Sequence, residues 1–119
     1  MTGTGISVET AKAVAVLTLD NPPMNVVTLA LTRALDAALD RLAADDAVRV
    51  LVVTGAGRRA FCAGSDIKEF SAVADDVVGK KLRAETAAFS KLAHFPKPTI
   101  AAINGIAFGG GLEIAVCCD

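Results

Sequence analysis

The sequence predicts an α/β fold with buried strands and crossover helices. Two observations predict it. Short apolar runs rich in Val, Ile and Leu alternate with longer stretches whose apolar residues recur at helical spacing. This gives the order strand, helix, strand, helix, strand, helix, with each helix free to cross back over a parallel sheet. Turn-forming residues fall between those runs, at Asn21-Pro22-Pro23, at Gly55, at Pro96 to Pro98 and at Asn104-Gly105. No internal repeat or low-complexity segment interrupts the order.

Each element has its own justification. "AVAVLTLD" (13–20) alternates and reads as a strand. "NPP" then forces a turn, because proline fixes φ and keeps its predecessor out of the helical region. Thr28 can cap a helix running to about Ala44, with Leu31, Leu35, Leu39 and Leu42 along one face. "VRVLVVTG" (48–55) is a buried strand ending in glycine, "AGRR" a loop, and "AFCAG" (60–64) a short extended piece. A helical turn opens at Asp66. A second helix covers 76–94, with Val78, Leu82, Phe89 and Leu92 as core positions, and "FPKP" ends it. "TIAAI" (99–103) reads as a third buried strand and "NG" as a turn. "GGGLEIAVCC" starts the last helix, with Glu113 in its first turn.

Composition narrows the function classes. A chain of 119 residues is one domain or part of one, taken here as a single domain over 1–119. Hydrophobic residues make up 53%, a large share for so short a chain to bury, which favours association or a further portion of the fold. A formal net charge of -1 gives no basis for binding nucleic acid or an anionic membrane, and five Phe without Trp or Tyr make a poor base-stacking surface. The longest uncharged run, Pro98 to Leu112, is too short and too glycine-broken to span a bilayer. The first residues lack the basic-then-apolar pattern of a secretory leader. Cys62, Cys117 and Cys118 are a poor disulfide framework, and with His94 the sole histidine no metal site is expected. Free thiols suit a reducing cytoplasm.

Two stretches carry candidate chemistry. In "FGGGLEIAVCCD" (108–119), Gly109, Gly110 and Gly111 lie between a strand and a helix start. A helix N-terminus offers free N–H donors, and glycine lets another group come close to them. Spacing alone leaves two readings open: tight strand–helix packing, or a pocket for a phosphate or a developing oxyanion. The pattern matches neither a Walker loop nor G-x-G-x-x-G. Glu113 also has two readings. First-turn acids complement the helix dipole, but a carboxylate among Leu112, Ile114, Ala115 and Val116 could exchange protons near neutral pH. In "FCAGSDIKEF" (61–70), Ser65 and Asp66 read as helix caps rather than nucleophiles, and Lys68 and Glu69 as a solvated face. Cys62 reads as core, with no nearby histidine to activate it, and His94 as structural or solvent-facing.

Taken together, "AFCAGSDIKEF" and "INGIAFGGGLEIAVCCD" resemble the two signatures of the crotonase (enoyl-CoA hydratase/isomerase) superfamily, and "NPPMNVVTLALTRALDAAL" resembles its first turn and helix. The resemblance runs the length of the chain in order. It implies a crotonase-like spiral of ββα units, N-terminal portion only, since chains of that family run to about twice this length. A C-terminal truncation is therefore expected. The implied ligand is an acyl-CoA thioester, with coenzyme A part of the substrate and no separate cofactor. The implied oxyanion hole is the backbone N–H of Ser65 and that of Gly110. Met24, Asn25, Ala63, Ser65, Asp66 and Ile67 would line the coenzyme A site, largely through backbone atoms, with Lys68 near the same end. Glu113 matches the first of two glutamates that activate water in the family's hydratases. The second belongs to a later motif that lies beyond Asp119. Keeping Glu113 favours hydration over isomerisation, with an isomerase, dehydratase or thioester hydrolase of the same family as the runner-up. The resemblance also implies homotrimers or dimers of trimers. A non-catalytic fragment that binds coenzyme A or partner subunits is the rival from another class.

Overall fold

The computed structural model describes residues 4–119. The start of the 1–119 domain, and of the segment read for a leader, lies outside the described residues. The chain builds three ββα units in succession. The first is β1 (Ile6–Ala11), β2 (Val14–Leu19) and α1 (Leu29–Ala44). The second is β3 (Val50–Gly55), β4 (Ala60–Cys62), the short helix α2 (Ile67–Ala72) and α3 (Arg83–Ala93), the last preceded by a π-helical turn over Val78–Leu82. The third is β5 (Thr99–Ala102), β6 (Ile106–Ala107) and α4 (Gly110–Cys117). The mixed α/β class and the ββα repeat agree with expectation. The simple strand–helix alternation does not, because β1 is an additional strand and β4 and β6 form a second small sheet.

Four strands make the main sheet in the order β1-β2-β3-β5. β1 pairs antiparallel to β2 through a tight hairpin, while β2–β3 and β3–β5 are parallel. Lys12 and Ala13 at the hairpin tip both have positive φ, at 50° and 69°. That is the backbone of a two-residue primed turn, whose twist matches the flanking strands. β2 and β3 bury every second residue, so Ala15, Leu17 and Leu19 join Leu51 and Val53 on the face that α1 and α3 cover. These strands are half-buried rather than buried on both sides.

α1 follows its sequence pattern closely. Thr28 Oγ1 accepts the Leu31 N–H at 3.0 Å, and Leu31, Leu35, Leu39 and Leu42 are all buried. The expected face of the second helix needs correcting. Phe89 and Leu92 are buried, but Val78 and Leu82 are 56% and 40% exposed. The π-helical turn inserts an extra residue and rotates the face, so Lys81 points inward instead. β5 is also expected to be buried, yet Ile100 within it is 53% exposed and Ile103 just beyond it 55%.

Two asparagines tie the loops that lead to β4. Asn25, itself buried, donates from Nδ2 to the Ala60 carbonyl at 2.9 Å and to Ala56 at 3.1 Å. Asn104 donates to Gly57 and Ala60 and accepts the Gly55 N–H at 3.0 Å. At the other end, Asp119 Oδ2 accepts the Thr99 N–H at 3.0 Å and so fixes the exit of α4 to the start of β5. Among the described residues, no helix is long and apolar enough to cross a membrane, and no group of three or more His, Cys, Asp or Glu could hold a metal ion.

Candidate active site

The two loops singled out in the sequence meet. β4 and β6 are parallel neighbours, so the turns that follow them, Ala63 to Asp66 and Phe108 to Gly110, leave the small sheet side by side. The Phe108 N–H donates to the Cys62 carbonyl at 3.0 Å. A β-carbon placed on Gly64 would lie 3.1 Å from the Phe108 oxygen and 3.8 Å from the Gly110 nitrogen.

Each glycine of the triplet has a different task. Gly109 has φ 50° and ψ -122°, a backbone shape that side chains resist, and it turns the chain into α4. Gly111 packs so closely on β4 that a β-carbon would overlap the Cys62 carbonyl. Gly110 differs from both. A β-carbon there would meet only ordinary contacts: Ser65 Oγ and Val27 Cγ2 at 3.6 Å, and Glu113 Oε1 at 3.9 Å. The space over Gly110 is therefore where Ser65 and Glu113 converge. The packing reading holds for Gly111, while the surroundings of Gly110 leave room for another group to approach.

The hydrogen-bond pattern says which donors of the two loops are left without an acceptor. Val27 N–H donates to the Gly64 carbonyl at 2.8 Å, and Asp66 N–H donates to the Val27 carbonyl at 2.9 Å. This is a parallel bridge centred on Val27 and Ser65, and its alternation turns Ser65's own N–H away from Val27. In the first turn of α4, the Gly111 and Leu112 N–H groups donate to Phe108 and that of Glu113 donates to Gly109. Among the described residues, neither the Ser65 N–H nor the Gly110 N–H has a protein acceptor. Gly110 is buried, and its N–H sits at the positive end of the helix.

Glu113 departs from its expected setting. Ile114 and Ala115 are buried, but Leu112, Glu113 and Val116 are exposed, so its apolar sequence neighbours do not enclose it. It lines an open hollow of 320 Å³ with Phe89, Ser90, Val116 and Cys117. No second carboxylate borders that hollow. Cys117, one helical turn on, has its thiol pKa raised by burial and then by the Glu113 charge. Burial also raises Cys62 and pushes Cys118 up to about 11. All three thiols are unpaired, and none has the lowered pKa of a nucleophile.

A profile of known relatives decides what these loops belong to. The family model described as enoyl-CoA hydratase/isomerase matches residues 9–119. The chain belongs to that family. It is 42% identical over 115 residues to a probable enoyl-CoA hydratase of Bacillus subtilis, covering 95% of this chain and 44% of that protein. It is 40% identical over 89 residues to the mitochondrial methylglutaconyl-CoA hydratase of Homo sapiens, covering 75% of this chain and 26% of that protein. The crystal structure of an enoyl-CoA hydratase from Bacillus anthracis superposes with a TM-score of 0.91 at 37% identity, over 97% of this chain and 45% of that one. The chain thus spans less than half the length of these relatives, and over that span its fold is the crotonase fold.

The remaining sequence-derived candidates are placed less evenly in this family member. Met24 is half-buried and its carbonyl accepts the Ala63 N–H at 3.0 Å, which uses up that donor. The Asn25 side chain is fully committed to the loop bonds described above. Asp66 caps α2 by accepting the Lys68 N–H at 3.0 Å. Ile67 is 79% exposed beside this cap. Glu69 is not part of a solvated face: its carboxylate accepts the Leu29 N–H at 3.0 and 3.1 Å and the Lys81 ammonium at 3.0 Å. Sequence reasoning missed three contributors here. Val27 carried no signal beyond its apolar type, nothing in the sequence marks Lys81 as buried, and Gly64, with φ 108°, was legible only as part of "AGS".

Proposed function

We propose that this chain supplies the carbonyl-binding and first acid–base parts of an enoyl-CoA hydratase. The observation that carries the reading is that the N–H groups of Ser65 and Gly110 lack acceptors, and that Ser65 Oγ and Glu113 Oε1 both border the space over Gly110. The thioester oxygen of a 2-enoyl-CoA would accept both hydrogen bonds. As water adds at C3, the C2–C3 π electrons move toward the carbonyl and charge gathers on that oxygen. Fixed donors aimed there stabilise the enolate more than the ground state. Glu113 takes the proton of the attacking water. A second acid, which the Glu113 hollow does not provide, returns a proton to C2. Coenzyme A enters as part of the substrate, along Met24, Asn25, Ala63, Ser65, Asp66 and Ile67, and no separate cofactor or metal is needed. The assembled state is a homotrimer or a dimer of trimers, which the exposed apolar side of β5, β6 and α4 supports. Three free thiols support a reducing compartment such as the cytoplasm.

The test uses the whole natural protein and a short 2-enoyl-CoA, following loss of the conjugated thioester absorbance. In Glu113→Gln, shape and hydrogen bonding persist but proton transfer does not. kcat is expected to fall about 10²–10⁴-fold, with KM nearly unchanged. Near-normal turnover would return Glu113 to the role of a dipole-complementing acid. A protein that shifts the double bond of a 3-enoyl-CoA faster than it hydrates a 2-enoyl-CoA would replace hydratase with isomerase.

A further inference from the structure

One cluster of charges lies outside the groups just described, yet touches the same loop. Lys81 is 1% exposed, an unusual place for an ammonium group. Its Nζ donates to Glu69 Oε1 at 3.0 Å, lies 3.3 Å from Glu85 Oε2 without hydrogen-bond alignment, and sits 5.3 Å from the centre of the Phe70 ring. The π-helical turn over Val78–Leu82 brings it there. Glu69 in turn grips the N-terminus of α1, accepting the Leu29 N–H on both carboxylate oxygens. Glu69 and Leu29 thereby join the same two strands of chain that Ser65 and Val27 join. Leu29 stands two residues beyond Val27, and Glu69 four residues beyond Ser65. The parallel bridge holds Ser65 from one side, and the carboxylate clips the two chains together just past it.

We infer that Glu69 and Lys81 form a positioning pair that fixes the direction of the Ser65 N–H. The inference rests on the oxyanion reading of Ser65 given above. Neither side chain reaches the space over Gly110; each acts through the chain that bears Ser65. The physical ground is that a donor stabilises an oxyanion only if its direction is set before the charge develops. A displacement of about 1 Å at such a donor can cost on the order of 10²-fold in rate. Glu69 alone would be a carboxylate tethered at one end; Lys81, buried and held by a second acid, gives it a fixed counter-charge. A purely structural pair would lower stability without altering how the bound carbonyl is polarised.

The experiment measures that polarisation in the whole natural protein. An acyl-CoA ligand carrying ¹³C at the thioester carbonyl is bound, and infrared difference spectra report the carbonyl stretch. Wild type is expected to lower the frequency. Glu69→Gln, which still accepts the Leu29 N–H but loses the charge beside Lys81, is expected to recover a large part of the free-ligand frequency. It is also expected to lose about 10-fold to 10²-fold in kcat, with KM changed far less. Lys80→Ala removes an exposed ion pair to Asp75 in the same segment and should leave both readouts unchanged. If Glu69→Gln does not fold, Glu69→Gln combined with Lys81→Met and Glu85→Gln, which removes all three charges of the cluster, is read the same way. A folded variant with the full wild-type frequency and kcat overturns the inference alone. A wild type that binds the thioester without moving its carbonyl stretch overturns the oxyanion reading, and this inference with it.

Discussion

Ser65 puts a backbone role and a side-chain role in direct competition. Its hydroxyl makes no hydrogen bond among the described residues, while its N–H is turned out of the Val27 bridge. Ser65→Ala is therefore expected to change kcat/KM little in the whole protein. Ser65→Pro deletes the N–H and should lose about 10²-fold or more, with circular dichroism checking that the loop still folds. A large loss from Ser65→Ala would point to side-chain chemistry instead. Neighbouring glycines allow a sharper separation. Gly110→Ala places a methyl group at ordinary contact distance from Ser65 and Val27, so the denaturation midpoint should barely move. The same methyl occupies the space proposed for the thioester oxygen, so kcat/KM should drop steeply. Gly111→Ala drives its methyl into the Cys62 carbonyl, and should lose stability by about 1–3 kcal/mol or more. Urea titration and steady-state rates on the two variants read these opposite outcomes. Equal loss of stability in both would remove the distinction between a packing glycine and a site glycine. At this scale the sequence was informative where a residue type has few uses. The glycine triplet and the lone acid behind it marked the candidate site. Which glycine serves which purpose depends on β4, nearly fifty residues earlier in the chain, and could not be read locally.

The hairpin that opens the fold shows how an element can hide. Ile6 and Val8 alternate as a strand should, and both pack on the core, but Lys12-Ala13 is not a recognisable turn pair. Both residues nevertheless hold positive φ, a conformation that costs a side-chain-bearing residue roughly 1–2 kcal/mol. The turn is imposed by the pairing of β1 with β2 rather than by its own residues. Lys12→Asn with Ala13→Gly supplies the favoured pair for this turn. The double variant is expected to gain about 1 kcal/mol, after allowing for the greater freedom of glycine in the unfolded chain, read as a higher urea midpoint with unchanged slope. A lower midpoint would mean that the tip is not strained. α1 is the opposite case, since its cap and its leucine stripe are both local, and both were legible. The second long helix was legible in extent but not in phase. A π-helical turn leaves no periodic trace, and the charges it brings together, Glu69, Lys81 and Glu85, are spread across two helices and the turn between. A buried lysine cannot be told from a surface one until its partners are in place.

At the scale of the whole molecule, the apolar surplus seen in the composition has a location. Ile100, Ile103, Ile106, Phe108, Leu112 and Val116 are each at least 39% exposed, and they follow one another along β5, β6 and α4. The same third ββα unit carries Gly110 and Glu113, so the proposed site stands at the margin of an uncovered apolar side. In water such a surface drives association, since each apolar group withdrawn contributes about 25 cal/mol per Å². A net charge of -1 offers little repulsion against it. Residues 1–119 prepared alone are therefore expected to elute as oligomers or aggregates by light scattering. They should also show weak or no hydration of a short 2-enoyl-CoA. Glu113 is exposed there, and one carboxylate alone does not do the two-acid work that the proposed hydration needs. Open water beside the two N–H groups would further weaken their hold on a developing charge. A clean monomer that turns over like a complete enzyme would overturn both parts. It would mean that the apolar side is tolerated in water, and that residues within this chain return the second proton.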